Sequence, residues 1–438
     1  MTYQPLSAGV ETWRADRRAE PARATLMDVL VFLAGLTCII IYSPAWSAPL
    51  TGYEIDATDS ALLRNGMIPA HLAGIFLLVI SWEKAARTFA QNWLLVVLMG
   101  LAIGSYAWSI DPGTSLRRGI ALALITLGGF GLAARFRLTE LAEVIATGFA
   151  MIAVACLVFG LFIPEWGRMQ ANFPGAWRGV YLEKNALGAM MSVATISTMA
   201  SAIYVPKRRL MWLGFTVLAV SLVVLSQSKT ALVAVTIAGL LMAMIWMVRR
   251  GPVTMVIGLW LAALAVMALA ALFLFAPELA FKAIGKDASL TGRTEIWAAA
   301  WRQLMERPWL GYGYWVFWDN AGHWFPAANI AKEAKFTAGH AHNGWLETAL
   351  SIGFVGLGLW ALYFVQTWAR AVKRMFEGGG AYLVVPFLAV FTLRTLTEVS
   401  VLDYQDLLWL IFVAFAVKLG MHEHREATFP QPTGRLGL

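Results

Sequence analysis

The sequence has few charged residues: only 14% of its 438 residues are Asp, Glu, Lys or Arg. In an ordinary soluble domain roughly 25% of residues are charged and roughly 45–50% are apolar. Here 59% are hydrophobic, and the mean hydropathy is +0.65. A chain of this kind cannot cover its surface with polar groups. The composition therefore excludes a soluble enzyme, a disordered chain, a collagen and a coiled coil.

Cysteine is also scarce, because the chain has only Cys38 and Cys156, each inside an apolar run. Neither a disulfide framework nor a CxxC metal site is available to such a sequence. The net charge of +8 does not indicate nucleic acid either. Its Lys and Arg residues are scattered in short clusters between apolar runs, and this pattern is typical of membrane topology.

Twelve apolar runs are long enough to predict transmembrane helices, since a helix needs roughly 20 apolar residues to cross the bilayer. They lie near 26–43, 66–82, 92–109, 119–134, 141–163, 185–204, 210–226, 230–248, 253–275, 346–369, 381–399 and 403–419. The last two are the weakest, because Arg394, Glu398, Asp403 and Asp406 crowd their junction. We expect an all-α polytopic membrane protein of about twelve transmembrane helices.

The distribution of positive charge orients these helices. Nineteen of the 34 Lys and Arg residues lie in the two termini and the connections on one side, and eight lie in the short connections on the other side. The remaining seven lie in one long segment, 276–345, which counts little for topology. The prediction is a cytoplasmic tail (1–25), nine transmembrane helices (26–275), a periplasmic catalytic loop (276–345), three further helices (346–419) and a cytoplasmic tail (420–438).

Three polar places interrupt the apolar pattern, all on the outer side. One is the loop at 164–184, which contains Arg178 and Lys184, and another is the tight turn SQSKT at 226–230. The third is the long segment, which contains seven of the twenty tryptophans. Interfacial tryptophans usually form an aromatic belt, and Lys or Arg at a helix end often reaches for lipid phosphates, so each signal alone also has a purely structural interpretation.

Within the long segment, an amphipathic helix is predicted to begin near Gly292. Its apolar face contains Ile296, Trp297, Ala300, Trp301 and Leu304. His340 and His342 close the segment and, two residues apart, would point in different directions in a strand or a helix. We therefore expect only one of them to face a site. No third ligand follows at a characteristic spacing, so no metal site is predicted.

Taken together, the three places suggest one chemistry. Cationic side chains from separate outer segments can converge on a phosphate or diphosphate at the bilayer surface. A histidine beside them is the natural general base, and aromatic rings suit the apolar faces of sugars. The residues indicate transfer of a sugar from a lipid diphosphate.

Several motifs resemble a known family. They are GRTEIW at 292–297, RPWLGYG at 307–313, HNGWLE at 342–347 and IGFVGL at 352–357. In this order and spacing they are similar to the O-antigen polymerase and ligase superfamily. The WSIDP stretch at 108–112 and the residues around Arg178 and Lys184–Asn185 are closer to its exopolysaccharide-polymerase branch, of the succinoglycan type, than to the lipopolysaccharide ligases.

The resemblance implies a C-type glycosyltransferase (GT-C) architecture, an undecaprenyl-diphosphate-linked oligosaccharide as donor, and neither a metal nor another cofactor. It places the catalytic histidine at His342 and catalytic arginines at Arg293 and Arg178. Where many members have Ser-Arg-Thr, this chain has Lys229, which keeps the charge and loses the bidentate fork. The remaining residues expected to bind substrate are Lys229, Lys184, Asn185, His340, Asn343, Trp297 and Glu295.

Three functions are compatible with these features. A polymerase in the bacterial inner membrane would join lipid-linked repeat units into an exopolysaccharide, with a flippase and a chain-length regulator as expected partners and no nucleic acid. A ligase would move the finished glycan onto lipid A core or a protein. A non-enzymatic flippase or transporter would show charges deep within several spans and a helix break at the midplane.

The charge distribution generates a topology prediction. Reporter fusions at about residue 320 should show a periplasmic position, and fusions at either terminus a cytoplasmic one, because positive charge is retained on the cytoplasmic side. A fusion near residue 320 that reports the cytoplasm would contradict the orientation.

Overall fold

The computed structural model describes residues 25–53, 61–171, 173–275, 293–319, 326–328, 330, 339–377 and 380–421. Both predicted tails, apart from a few residues next to the first and last helices, and much of the predicted 276–345 loop lie outside these residues. The described architecture is all-helical, with one isolated bridge between Arg168 and Trp177.

Each of the twelve predicted apolar runs contains one helix of the described residues, and three further helices lie outside the runs. They are α1 (Leu26–Tyr42), α2 (Ala61–Gly66), α3 (Ile68–Ile80), α4 (Trp82–Gln91), α5 (Trp93–Gly104), α6 (Pro112–Arg135), α7 (Leu138–Phe162), α8 (Lys184–Tyr204), α9 (Arg209–Leu225), α10 (Lys229–Arg250), α11 (Pro252–Phe275), α12 (Arg293–Glu306), α13 (Gly344–Glu377), α14 (Ala381–Thr397) and α15 (Leu407–Gly420). Short helical turns occur at Ser47–Leu50, Ser105–Ala107, Pro164–Gly167 and Pro206–Arg208.

Seven helices among the described residues are long and apolar enough to cross a membrane. An eighth span results if α4 and the helix that follows it, which meet at 86°, cross together, and four shorter apolar helices accompany them. This is the architecture of a multi-pass membrane protein, and the all-helical class is confirmed. The count of twelve spans and the GT-C architecture stay predictions.

The helix with the least certain span, α15, lies at the centre of the bundle. Its residues from Leu407 to Leu419 are all buried, and it packs against α6, α13 and α14. A helix that is apolar on every side belongs in an interior rather than at a surface. The polar residues at its start are therefore placed in the connection 398–406 at one end of the bundle.

Small residues let the central helices approach one another closely. A Cβ atom added to Gly74 of α3 would lie 2.8 Å from the Cα of Gly128 in α6, and one added to Gly129 would lie 2.6 Å from a methyl of Val413 in α15. Apolar side chains gain no hydrophobic energy from leaving lipid, so association of membrane helices depends on such close packing.

The helix α12 begins where the amphipathic pattern predicted. Ile296, Ala300 and Leu304 of its predicted apolar face are buried against α13 and the chain that follows α12. Trp301 departs from the prediction, because 52% of its surface is exposed. Its ring lies on the edge of the buried face and packs at 6.0 Å from the ring of Phe354.

The helix α13 is interrupted at Ile352 and Gly353, where Gly353 has φ +68°. The segment 308–313 binds to this interruption. The amides of Tyr312 and Gly313 donate to the carbonyls of Leu350 and Ser351, at 2.9 and 3.0 Å. In return, the amides of Phe354 and Val355 donate to the carbonyls of Pro308 and Trp309, at 2.7 and 3.2 Å. The two sequence motifs RPWLGYG and IGFVGL are thus two sides of one backbone junction.

Gly353→Ala should destabilise the protein. A residue other than glycine in this left-handed conformation costs about 1–3 kcal/mol, and the new Cβ would lie 2.1 Å from the carbonyl oxygen of Trp309, so the backbone must also move. The measurement is thermal unfolding of the purified protein in detergent. The matched control is Gly358→Ala in the same helix, where no heavy atom lies within 4 Å of the new Cβ. Equal stability of the two variants would contradict the importance of the junction.

Candidate functional site

The backbone of Ala341 is held from both sides, immediately before His342. Its amide donates to Oε2 of Glu347 at 3.1 Å, and its carbonyl accepts from Nε1 of Trp297 at 2.8 Å. The same Glu347 oxygen accepts from Nε1 of Trp318 at 2.9 Å. Glu347 and Trp297 therefore position the histidine segment. Trp297 was predicted to bind substrate. Its indole N–H donates to the Ala341 carbonyl, and its contact with substrate stays a prediction.

The two histidines lie side by side. His342 adopts the left-handed conformation, with φ +48°, and its amide donates to Nδ1 of His340 at 3.2 Å. The centroids of the two rings are 4.0 Å apart. The expectation that only one ring would face the site was wrong, because it assumed regular strand or helix geometry, whereas the left-handed turn brings both rings to one place.

Asn343 begins the helix that follows. Its Oδ1 accepts from the amides of Trp345 and Leu346 at 3.0 and 3.2 Å, the geometry of an N-cap side chain. Trp345 in turn donates from Nε1 to Oγ1 of Thr395 in α14 at 3.1 Å. Asn343 thus fixes the residue after His342, and its predicted contact with substrate stays a prediction.

Glu398 contacts the histidine cluster, and this contact was not predicted from the sequence. It follows the last residue of α14, and its Oε2 lies 3.1 Å from Nδ1 of His342. The two side chains are 24% and 30% exposed, so a substrate can reach them. The signal was present in the crowd of ionisable residues between the last two apolar runs, which we took only as a weakness of those spans.

His340, His342 and Glu398 could together hold a metal ion. One ligand atom from each lies within 4.8 Å of the other two. Two histidines and a glutamate form a ligand set of catalytic zinc, with the fourth position left for water or substrate. No metal was predicted, because the third ligand lies 56 residues further along the chain than His342. The same three side chains also suit a histidine base oriented by a carboxylate.

Lys184 and Lys229 form a second, cationic cluster. Lys184 begins α8, and its Nζ donates to the carbonyl of Gln227 in the turn before α10, at 3.5 Å. Gly188 allows this approach, since a Cβ there would lie 2.8 Å from that of Ser228. Lys229 is the first residue of α10, directly after this turn, and its positive charge repels the Lys184 ammonium. A bound anion would relieve the repulsion between these two cations.

Arg178 is anchored within its own loop. Its Nε donates to the carbonyl of Trp166 at 2.7 Å, and its guanidinium carbon lies 4.0 Å from the centroid of the Tyr53 ring. These contacts join Arg178 to the beginning of its own loop and to the chain that follows α1. Asn185 is exposed in the first turn of α8.

The two clusters lie at the same end of the bundle. The helices α10 and α14 pack together, and Arg249 near the end of α10 lies 5.0 Å from the ring centroid of Tyr382 near the start of α14. The two helices are therefore antiparallel. At 1.5 Å per residue, α10 extends about 30 Å from Arg249 to Lys229, and α14 about 24 Å from Tyr382 to Glu398. Lys229 and Glu398 thus lie at one end on neighbouring helices.

The predicted residues at the start of α12 are only partly placed. Arg293 is the first residue of α12, and its side chain lies outside the described part of the chain. Glu295 is exposed and accepts from the hydroxyl of Thr294 at 2.9 Å. The contribution of Arg293 to the cationic cluster therefore stays a prediction.

Carboxylates are also concentrated in the connection 398–406, beside the histidines. Removal from water, together with the charge of Asp406, raises the pKa of Asp403 above its ordinary range. Oδ1 of Asp406 caps α15 through the amide of Leu408 at 2.9 Å. This connection lines the same end of the bundle as Glu398.

Two comparisons with known proteins show what the chain is similar to. Residues 214–361 match the family model described as O-antigen ligase, a range that contains Lys229, Arg293 and His342 and ends before Glu398. The chain is also 25% identical, over 311 residues, to the exopolysaccharide production protein ExoQ of Rhizobium meliloti (strain 1021). That alignment covers 68% of this chain and 69% of the relative. The resemblance predicted from the motifs is confirmed: residues 214–361 are similar to the O-antigen ligase family, and the chain is similar to an exopolysaccharide production protein.

Proposed function

We propose that the protein is a polymerase of lipid-linked oligosaccharide repeat units. It transfers glycan from an undecaprenyl-diphosphate carrier on the periplasmic face of the bacterial inner membrane, within a GT-C bundle of about twelve spans. The observation that carries the proposal is the contact between His342 and Glu398 at the same bundle end as Lys184 and Lys229. A base and a diphosphate clamp are the two parts that such a transfer needs.

His342 acts as the general base. With Glu398 accepting a hydrogen bond from Nδ1–H, the lone pair of Nε2 is left to take the proton of the acceptor hydroxyl. The acceptor oxygen then forms its bond to the anomeric carbon of the donor as the bond from that carbon to the diphosphate oxygen breaks. Glu398 stabilises the imidazolium that results, as a carboxylate does beside a catalytic histidine.

The departing diphosphate takes the electron pair, and its negative charge grows as the bond breaks. Lys184 and Lys229 are placed to neutralise it, with Arg293 contributing from α12. A preorganised cation in a site with little water stabilises developing charge by several kcal/mol. Arg178 holds the loop beside this clamp through its contacts with Trp166 and Tyr53, so in this mechanism it is a positioning residue.

Variants of the histidine cluster test the base. His342→Ala should lower transfer by purified protein about 10²–10⁴-fold, the usual effect of removing a general base. His340→Ala should be milder. Glu398→Gln keeps a hydrogen-bond acceptor and should cost less than Glu398→Ala, which removes both acceptor and charge. Full activity of His342→Ala would end the assignment.

Chelation separates the base from the metal interpretation of the same three residues. Under the proposed mechanism, EDTA should leave the activity of the wild-type protein unchanged. If EDTA abolishes activity and a divalent cation restores it, a metal held by His340, His342 and Glu398 replaces the free base. The test uses the same vesicles and the same lipid-linked repeat unit as the variant series.

The cationic cluster is tested with charge-removing variants. Lys229→Gln and Lys184→Gln should each lower kcat, by up to about 10²–10³-fold for a donor that stabilises transition-state charge. Arg293→Ala should behave likewise, and Arg293→Lys should keep part of the activity because the charge survives. Lys207→Gln, an exposed lysine in the turn before α9, is the matched control. Normal polymer from both lysine variants would mean that the clamp lies elsewhere.

Ligase activity is the alternative that the matched family description favours. Both enzymes use the same donor chemistry and differ in the acceptor. Glycan analysis of a deletion strain distinguishes them: single repeat units on the lipid carrier indicate a polymerase, and long polymer stranded on the carrier indicates a ligase. A transporter differs from both in an assay with purified protein, since it transfers no sugar.

A further inference from the structure

A second cationic site lies at the same end of the bundle, apart from the lysine cluster. It is a cavity of about 260 Å³ where the junction of α2 and α3, the first turns of α6 and the connection 398–406 meet. Its ionisable lining consists of Arg64, His71, Arg117 and Arg118. None of the described residues that line it is a carboxylate, and Tyr404 and Gln405 supply polar groups.

The deepest arginine is held in place by the protein. Arg118 is 7% exposed, and its guanidinium forms two hydrogen bonds to Asp319, at 2.8 and 3.2 Å, and one to the carbonyl of Trp315. Asp319 balances the charge of Arg118. The lining holds two further guanidinium groups, those of Arg64 and of the exposed Arg117. Guanidinium groups in this arrangement suit a phosphate or diphosphate.

The surface around the mouth is apolar. Ile68 and Leu72 on α3 are 48% and 62% exposed, and Ile120, three residues after Arg117 on α6, is 48% exposed. Residues three apart on a helix share a face. A phosphate in the cavity can therefore be attached to a hydrocarbon chain that lies along α3 and α6, and the ligand class is a phosphorylated membrane lipid.

The cavity is linked to the proposed base through one short connection. Glu398, at the start of the connection 398–406, contacts His342, and Tyr404 and Gln405, near its end, line the cavity. Between them, the carbonyl of Leu402 accepts from the hydroxyl of Tyr314, which fixes the middle of the connection. A ligand in the cavity thus lies beside the catalytic cluster without sharing any of its residues.

We infer that this cavity binds the diphosphate of the acceptor, a second lipid-linked repeat unit; this rests on the proposed polymerase function. A polymerase must hold two lipid diphosphates at once, one that leaves and one that stays attached to the acceptor sugar. Lys184 and Lys229 take the leaving diphosphate, and Arg64 and Arg117 take the one that stays. The oligosaccharide of the acceptor then extends from the cavity to His342.

Kinetics with two analogues test this assignment. The donor has its acceptor hydroxyl methylated, and in the acceptor a methylene group replaces the oxygen between sugar and diphosphate, so each molecule can play only one part. Arg64→Gln and Arg117→Gln should raise the KM for the acceptor about tenfold, the effect of losing one charged contact of about 1.4 kcal/mol, and leave the KM for the donor unchanged. Arg209→Gln, exposed at the start of α9, is the matched control. Unchanged acceptor KM, or a raised donor KM instead, would overturn the assignment.

A binding measurement keeps this test independent of activity. Native mass spectrometry of His342→Ala with undecaprenyl diphosphate should show two bound lipids per chain, and adding Arg64→Gln and Arg117→Gln should reduce this number to one. Phosphatidylglycerol should not displace the second lipid. Displacement by phosphatidylglycerol would show a general site for anionic lipids, and a single bound lipid in His342→Ala itself would show no second site; either result overturns the inference. If the wild-type protein transfers no sugar while His342→Ala still binds two lipids, the result counts against the proposed chemistry alone.

Discussion

The backbone junction between the segment 308–313 and the interruption of α13 supports the rest of the site. In a bundle this apolar, a helix cannot be broken unless the exposed amides and carbonyls find partners. Pro308 to Gly313 supply them at Ile352–Gly353 through four hydrogen bonds. Because of this junction, a long polar segment can be fastened to the end of the bundle without leaving backbone groups unpaired in a dry environment.

From the junction, the order extends to the histidines step by step. The amide of Ile110 donates to the carbonyl of Tyr312 at 2.9 Å, which joins the start of α6 to the same segment. Further along, Trp318 donates to Glu347, and Glu347 binds the amide of Ala341. His342 is the next residue. The proposed general base must be held rigidly in place, and the rigidity here comes from main-chain contacts and the indoles of Trp297 and Trp318 rather than from a regular strand or helix.

Much of this structure could be predicted from the sequence, and the reasons are local. Apolar runs between charges mark helices because each run must satisfy its backbone within itself, and twelve of the fifteen helices, all but α2, α4 and α12, lie on these runs. The position of α12 could be predicted because its apolar residues recur at helical spacing on one face. The contact between His342 and Glu398 could not be predicted, because it joins two positions 56 residues apart through a left-handed turn that spacing rules do not describe. The contact between Arg178 and the ring of Tyr53 could not be predicted either, because the two residues come from segments that are distant in sequence.

The hydrogen bonds of the histidine cluster are those that a histidine base needs. The lone pair of Nδ1 in His340 already accepts the amide of His342, and Nδ1 of His342 lies 3.1 Å from the Glu398 carboxylate. Two ligand atoms on a tetrahedral zinc, each about 2.05 Å from the metal, are about 3.3 Å apart. The separation of 3.1 Å is close to this value, so the pair also suits zinc, and a zinc ion would replace the hydrogen bond between His342 and Glu398 and bind His340 through its other nitrogen. The hydrogen-bonded pair lies at the bundle end where Lys229 begins α10. A cation there attracts the donor diphosphate without competing for either imidazole.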